Sequence, residues 1–254
     1  MFQEFAKVTA AEKEAPRNYQ GKVGSQGRPM IYLIGVEHGV QSIPVTGVET
    51  PNNTEYRLCL EQAIHAYKPA VVGEEYSKDA FARAELVKQE PQEFLTRKIA
   101  ERAGAMHVLC DPDLKTRMAI GYQSPYCWLQ LIDKLAEPVP DSETEWLSKG
   151  LEIVFDIPIR EQYWLNQLKP FLARDIIFVC GDAHVESFAE LLGSQKILSS
   201  VVKRKIGMTP ELIYQSDAEL QNAKTKRDRI EQIYRQIQEE NGGAIPPPYY
   251  PGVK

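Results

Sequence analysis

The sequence predicts an α/β fold: a mainly parallel or mixed central sheet flanked by helices on both faces, with a C-terminal helical extension. Three observations carry that expectation. Four short runs, Met30–Ile34, Ala70–Val72, Met106–Cys110 and Asp175–Cys180, are largely apolar. A strand that is apolar on both faces is one buried between two layers. The stretches between the runs carry helical spacing, and strands that alternate with helices pair in parallel through right-handed crossovers. Each run also empties into glycine or ionisable residues, the place where such sheets bind ligands.

The elements follow in order. Residues 1–28 are polar and hold Gly21, Gly24 and Gly27, so they read as a flexible N-terminal arm. The α/β catalytic-type domain is assigned to 29–205, and 206–254 to a helical extension with a proline-rich tail. After the first strand, residues 39–53 carry Gly, Pro and Asn and read as a long loop. Asn53 or Thr54 is placed to cap a helix to Tyr67, with Tyr56, Leu60, Ala63 and Ile64 on one face. Pro69 ends it. Residues 79–89 read as helical, and Pro91 as the start of another helix that Gly104 closes.

Two helices follow the third strand. Ser124 and Pro125 open the first, and a capping box of Ser142 and Glu145 opens the second, which stops near Gly150. A further helix starts at about Arg160, with Trp164, Leu168, Phe171 and Leu172 inward. Residues 185–192 form a short helix, Ile197–Val202 a further strand, and Ser216–Asn241 a charged helix with Ile230, Ile233 and Ile237 at helical spacing.

Composition narrows the function classes. A chain of 254 residues, 43% hydrophobic and 26% charged, buries a sizeable core and is too apolar for disorder. A net charge of −5 argues against a nucleic-acid partner, and the Lys and Arg residues around 224–229 read as a solvated face. No apolar run is long enough to span a membrane, and Met1–Asn18 lacks the apolar stretch of a signal peptide. The expected compartment is cytoplasmic. Cys59, Cys110, Cys127 and Cys180 show no metal or disulfide spacing and read as small buried hydrophobes.

The strand ends carry the chemistry. The first releases Gly35-Val-Glu37-His38, the second Gly73-Glu74-Glu75, the third Asp111-Pro-Asp113, and the fourth Gly181-Asp182-Ala-His184. In a parallel sheet these groups rise from one edge. The first and fourth segments are alike, each an apolar strand followed by Gly-x-x-His, in a chain with only four histidines. Two histidines and carboxylates from separate strands suit a catalytic metal site with a place for water. Neighbours on a strand face opposite ways, so one of Glu74 and Glu75 reaches the site. The expectation is Glu74 inward and Glu75 on the far side. His65 and His107 read as structural. No phosphate-binding loop, dinucleotide fingerprint or nucleophile elbow is present, and Asp111-x-Asp113 lacks the spacing of a dehalogenase site.

These motifs resemble the TraB/PrgY group, within the superfamily that holds Tiki proteases, erythromycin esterases and ChaN-like haem-binding proteins. The matches are Gly35–His38, the segment Pro69-Ala-Val-Val-Gly-Glu-Glu75, and Gly181–His184 with Val185 and Leu191-Leu192 after it. Weaker ones are Gly104–Thr116, similar to the family's strand ending in Gly-Asp-Arg, and Arg160-Glu161, similar to its Glu-Arg-Asp start. The similarity spans roughly residues 30–193. Cys110 and Pro112 replace the Gly and Arg of the middle motif, and the small Thr or Ala common before the first His is absent.

The resemblance implies a metal-dependent hydrolase, peptidase-like, acting on a small-molecule or peptide substrate. His38, Glu74 and His184 would hold a divalent Zn, Mn or Co. Glu37, Glu75 or Asp182 would act as general base, and Arg160 would hold an anionic group or the oxyanion. Two other readings stay open. One is a metal-independent esterase or lactonase with His38 as base, and the other a binding protein for a tetrapyrrole or peptide. A homo-oligomer through the C-terminal helix is also expected.

Overall fold

In the computed structural model of the chain, residues 27–44, 48–86, 92–208 and 226–249 are described. Most of the expected N-terminal arm, Pro91, the Lys and Arg residues up to 225 and the first part of the expected 216–241 helix lie outside them. Among the described residues there are seven strands: β1 (Ile31–Val36), β2 (Ser42–Pro44), β3 (Val71–Ser77), β4 (Gln92–Phe94), β5 (Met106–Asp111), β6 (Ile176–Gly181) and β7 (Ser199–Ile206). Five of them make one sheet in the order β5-β3-β6-β1-β7. Every pairing in that sheet is parallel, so all five strands end on one edge. The fold is α/β, as the apolar runs require.

Parity along the strands sorts the helices into two layers. Tyr32, Ile34, Val36, Val72, Ile177 and Val179 point one way. They meet Tyr56, Leu60 and Ile64 of α1 (Pro51–Tyr67) and, beyond α2 (Lys78–Leu86), Leu95 and Ile99 of α3 (Leu95–Arg102). Ile31, Leu33, Val71, Ile176 and Phe178 point the other way. After α4 (Leu114–Ile120), α5 (Pro125–Ile132) and α6 (Asp141–Leu151) come the helices that cover this second face. They are α7 (Ile157–Leu168), through Trp164, Leu165 and Leu168, and α8 (Val185–Ser194), through Phe188 and Leu192. Such two-sided cover is why the central strands read as unbroken apolar runs. All four cysteines are buried and unpaired.

Several boundaries differ from the sequence expectation, each for a local reason. Thr50, rather than Asn53 or Thr54, caps α1: its side chain accepts from the Asn53 backbone while the Asn53 side chain reaches back, with Pro51 preset at the first turn. The loop after His38 is not structureless. It winds through a 3-10 turn, His38–Gln41, and its Ser42–Pro44 pairs antiparallel with Gln92–Phe94, so the helix expected from Pro91 begins only at Leu95. Ser142 and Glu145 form no capping box, because α6 starts after Pro140 without a side-chain cap.

Gly150 does not end α6. The chain runs on through a π-helical turn, Glu152–Asp156, into α7. Pro158 lacks an amide hydrogen, and a break in the i→i−4 ladder just before it is the expected result. Buried Asp156 in that turn accepts from the Gln123 backbone at 2.9 Å and from the Trp128 indole, which ties α5 to the turn. Burial pushes its carboxyl up to about 7.

The last helix, α9 (Arg227–Glu240), is docked rather than free. Ile230, Ile233 and Ile237 are 0% exposed and pack with Trp128, Ile132, Leu147 and Leu151 of α5 and α6. The apolar stripe of this helix is used inside the chain. No helix among the described residues is long and apolar enough to cross a membrane.

Gly150 lies against α9: a Cβ there would lie 2.5 Å from Ile230 Cδ1 and 2.9 Å from its Cγ1. Ile230 is itself 0% exposed, so overpacking at about 1–3 kcal/mol should outweigh the roughly 0.5–1 kcal/mol that alanine gains in a helix. Gly150→Ala is therefore expected to lower the urea midpoint of unfolding, and adding Ile230→Val to recover part of the loss. A midpoint raised by Gly150→Ala alone would contradict this packing.

Candidate active site

Three neighbouring strands deliver the site. In register, Val36 stands beside Gly181 and Glu74 beside Val179, which brings the residue after Glu74 level with the end of β6. The Gly181 amide donates to Glu75 Oε2 at 2.6 Å. A Cβ on Gly181 would lie 2.8 Å from His38 Nε2, so glycine here is what lets the first histidine lean over the neighbouring strand. The two Gly-x-x-His segments therefore meet.

Glu75 is the centre. Its side chain is 0% exposed, and its Oε1 lies 2.8 Å from Arg160 Nη2 and 3.5 Å from both His38 Nε2 and His184 Nε2. None of these contacts is aligned as a hydrogen bond, so Oε1 is a buried acceptor held by charge. Burial alone would raise its pKa. The charges of His184, Arg160 and His38 outweigh burial and hold the carboxyl well below the usual range.

Each partner is fixed in turn. Arg160 donates through Nε to Asp111 Oδ1 at 2.6 Å and lies 5.2 Å over the Trp164 ring. Asp111 also takes Trp164 Nε1 at 3.0 Å and Arg117 Nη2 at 2.6 Å. His184 meets Trp164 edge to face, and its Nδ1 lies 3.1 Å from Glu161 Oε1. His38 is the outlying member, with 49% of its side chain exposed and Nδ1 3.0 Å from Gln41 Oε1. Burial pulls its pKa down, but the Glu75 charge prevails and lifts it from 6.5 to about 9, an effect that solvent at the exposed half screens.

Of the residues singled out in the sequence, His38, His184, Glu75 and Arg160 come together. Three do not. Glu37 caps the turn after β1 by accepting from the Gly39 amide at 2.9 Å. Asp182 is engaged by Arg204 at 3.0 Å and by the Lys205 amide at 2.7 Å.

Glu74 is the larger correction, because the expected orientation is reversed. It points with Val72 into the α1 and α3 layer, where its carboxylate takes Gln41 Nε2 at 2.7 Å, Thr96 Oγ1 at 2.5 Å and His107 Nε2 at 2.8 Å. The alternation of the strand was legible, but not which layer would supply Arg160. Asp111, Glu161 and Gln41 were missed as partners. Gln41 had a signal, since residues three apart eclipse on a 3-10 turn.

The arrangement bears on the expected Zn, Mn or Co. Among the described residues, no group of three or more His, Cys, Asp and Glu side chains is placed to hold a metal ion. His38, Glu75 and His184 come nearest, but Arg160 Nη1 is 3.5 Å from His184 Nε2 and Nη2 already occupies Glu75 Oε1. A divalent ion about 4 Å from that guanidinium would be repelled by roughly 8 kcal/mol at an effective dielectric of about 20. Glu75 Oε1, which Arg160 already holds beside its bond to Asp111, would have to serve the ion as well. The donor set does not fit a resident divalent metal.

Comparisons of this chain with protein-family models, with curated proteins and with solved structures return no match.

The charge placement predicts how His38 titrates. A folded-state pKa raised above 6.5 means that the His38–Glu75 pair contributes fully below pH 6.5 and is lost as pH rises through about 9. Proton NMR of the His38 ring should find its midpoint above 6.5, and Glu75→Gln should bring it down toward the ordinary value. An ordinary midpoint in the unaltered chain would show that the two groups do not interact as placed.

Proposed function

We propose that this chain is a metal-independent hydrolase of small esters or lactones, with His38 as the base. The observation that supports this most is the Arg160 guanidinium, which stands among Glu75, Asp111 and His184 where a metal would otherwise stand. Beside that fixed positive charge is one half-exposed imidazole, braced on both sides.

The chemistry follows from these groups. In its neutral form His38 takes a proton from water through Nε2 while the water oxygen attacks the acyl carbon. Glu75 stabilises the imidazolium that forms, and the Arg160 and His184 side favours negative charge on the carbonyl oxygen. Collapse of the tetrahedral intermediate breaks the acyl–oxygen bond, and His38 returns its proton to the leaving alkoxide. The products are a carboxylic acid and an alcohol.

The metal-dependent alternative keeps one feature in its favour. His184 hands Nδ1 to a carboxylate, an orientation common among metal-bound imidazoles. Chelation separates the two readings.

With p-nitrophenyl acetate as probe, kcat/KM should be unchanged after exhaustive dialysis against EDTA. Because the base must be neutral, activity should rise with pH until His38 is deprotonated, and the limb should sit above 6.5 and toward about 9. His38→Ala should lower kcat/KM by about 10²–10⁴-fold, and Arg160→Met by about 10²–10³-fold. Loss of activity on chelation, or full activity in His38→Ala, overturns the reading.

A further inference from the structure

The side of His38 that faces away from Glu75 decides which ring nitrogen is free when the ring is neutral. Gln41 is 1% exposed and sits between two groups of opposite demand. Its Nε2 is 2.7 Å from Glu74 Oε1, and its Oε1 is 3.0 Å from His38 Nδ1. An ionised carboxylate only accepts, so the amide must present its NH2 to Glu74. The amide oxygen is then the atom left facing the imidazole, and it too only accepts. The proton on that side of the ring belongs to Nδ1.

The far layer holds this direction in place. Thr96 Oγ1 and His107 Nε2 also converge on the Glu74 carboxylate, and the Tyr56 hydroxyl stands 2.6 Å behind Thr96. Three groups with protons to give surround Glu74. Turning the Gln41 amide over would set oxygen against the Glu74 carboxylate, and the ring would then face the amide NH2 in place of its oxygen. Glu75 is the competitor for the proton, since its Oε1 faces His38 Nε2. That contact is longer, at 3.5 Å, and Arg160 already sits 2.8 Å from the same oxygen.

We propose that Gln41, oriented by Glu74 from the opposite face of the sheet, is a positioning residue that locks neutral His38 with its proton on Nδ1 and its lone pair on Nε2. The lone pair then lies over Gly181, toward Glu75 and Arg160. This rests on His38 as the base: with the proton on Nε2, the ring would offer the site no lone pair. A carboxylate on the layer remote from the chemistry thus acts through one amide.

The test is a long-range 1H–15N correlation spectrum of the uniformly 15N-labelled chain, at a pH above the His38 midpoint. The His38 signals are assigned by their loss in His38→Asn. Expected are a pyrrole-type shift at Nδ1 and a pyridine-type shift at Nε2. In Gln41→Met, and in Glu74→Gln, where the amide is free to turn, the two shift types should exchange or average. The double change Gln41→Glu with Glu74→Gln reverses the partners but again gives the ring an acceptor, so it should restore the first pattern. In p-nitrophenyl acetate hydrolysis, Gln41→Met should lower kcat about tenfold or more, roughly 1.4 kcal/mol, at unchanged KM, with recovery in the double variant. A proton on Nε2 in the unaltered chain, or a pattern unmoved by Gln41→Met, overturns the lock. The spectrum needs no substrate, so it stands or falls independently of the hydrolase reading.

Discussion

A carboxylate cannot leave water alone, and that constraint organises this protein. Glu75 is fully buried at the end of a central strand, and breaking a buried pair of this kind costs about 3–5 kcal/mol. The fold answers with a backbone amide from β6, one guanidinium and two imidazoles. Each of those three side chains then needs its own counterpart. Asp111 serves Arg160, Glu161 serves His184, and Gln41 serves His38. Strand parity, the glycine at 181 and the placement of α7 are all read most simply as conditions for keeping this one charge buried.

Strand β3 uses its two faces for two different purposes. Glu75 gathers positive charge toward α7 and α8, while Glu74, one residue earlier, gathers neutral and imidazole donors toward α1 and α3. The sheet would insulate one network from the other if Gln41 were not at its edge. Because the 3-10 turn after β1 brings residue 41 under residue 38, a single amide touches both. The polar interior is continuous from His107 through Glu74, Gln41 and His38 to Glu75, Arg160, Asp111 and Arg117.

Much of the architecture was legible in the residues. Four apolar runs became strands, and their shared direction brought the two Gly-x-x-His segments together from distant parts of the sequence. Arg160 was singled out by the resemblance of Arg160-Glu161 to the family's helix start, and its ion pairs with Glu75 and Asp111 give it a place in the cluster. What escaped was whatever depends on a partner from another element. Glu74 and Glu75 are identical in type and adjacent, so only the position of α7 distinguishes them. Asp111 sat in a motif that drew attention to its spacing with Asp113, whereas Asp113 caps α4 and Asp111 alone turns inward. Gly150 looked like a helix terminator, and nothing nearby in sequence announced that Ile230 would press against it.

The strand order has a consequence for how the molecule comes into being. β1 and β3, the first two long strands, never touch as neighbours; β6 lies between them and pairs with both. Until residues 176–181 arrive, the early strands have no common partner and their apolar edges stay open. Contacts across such sequence distances form slowly, since the chain must close long loops before it gains from them. A nascent chain leaving the ribosome would therefore carry its layers as separate pieces for most of its synthesis. The same late strand brings the Gly181 amide and, just beyond it, His184, so Glu75 gains its buried partners in the step that joins the sheet.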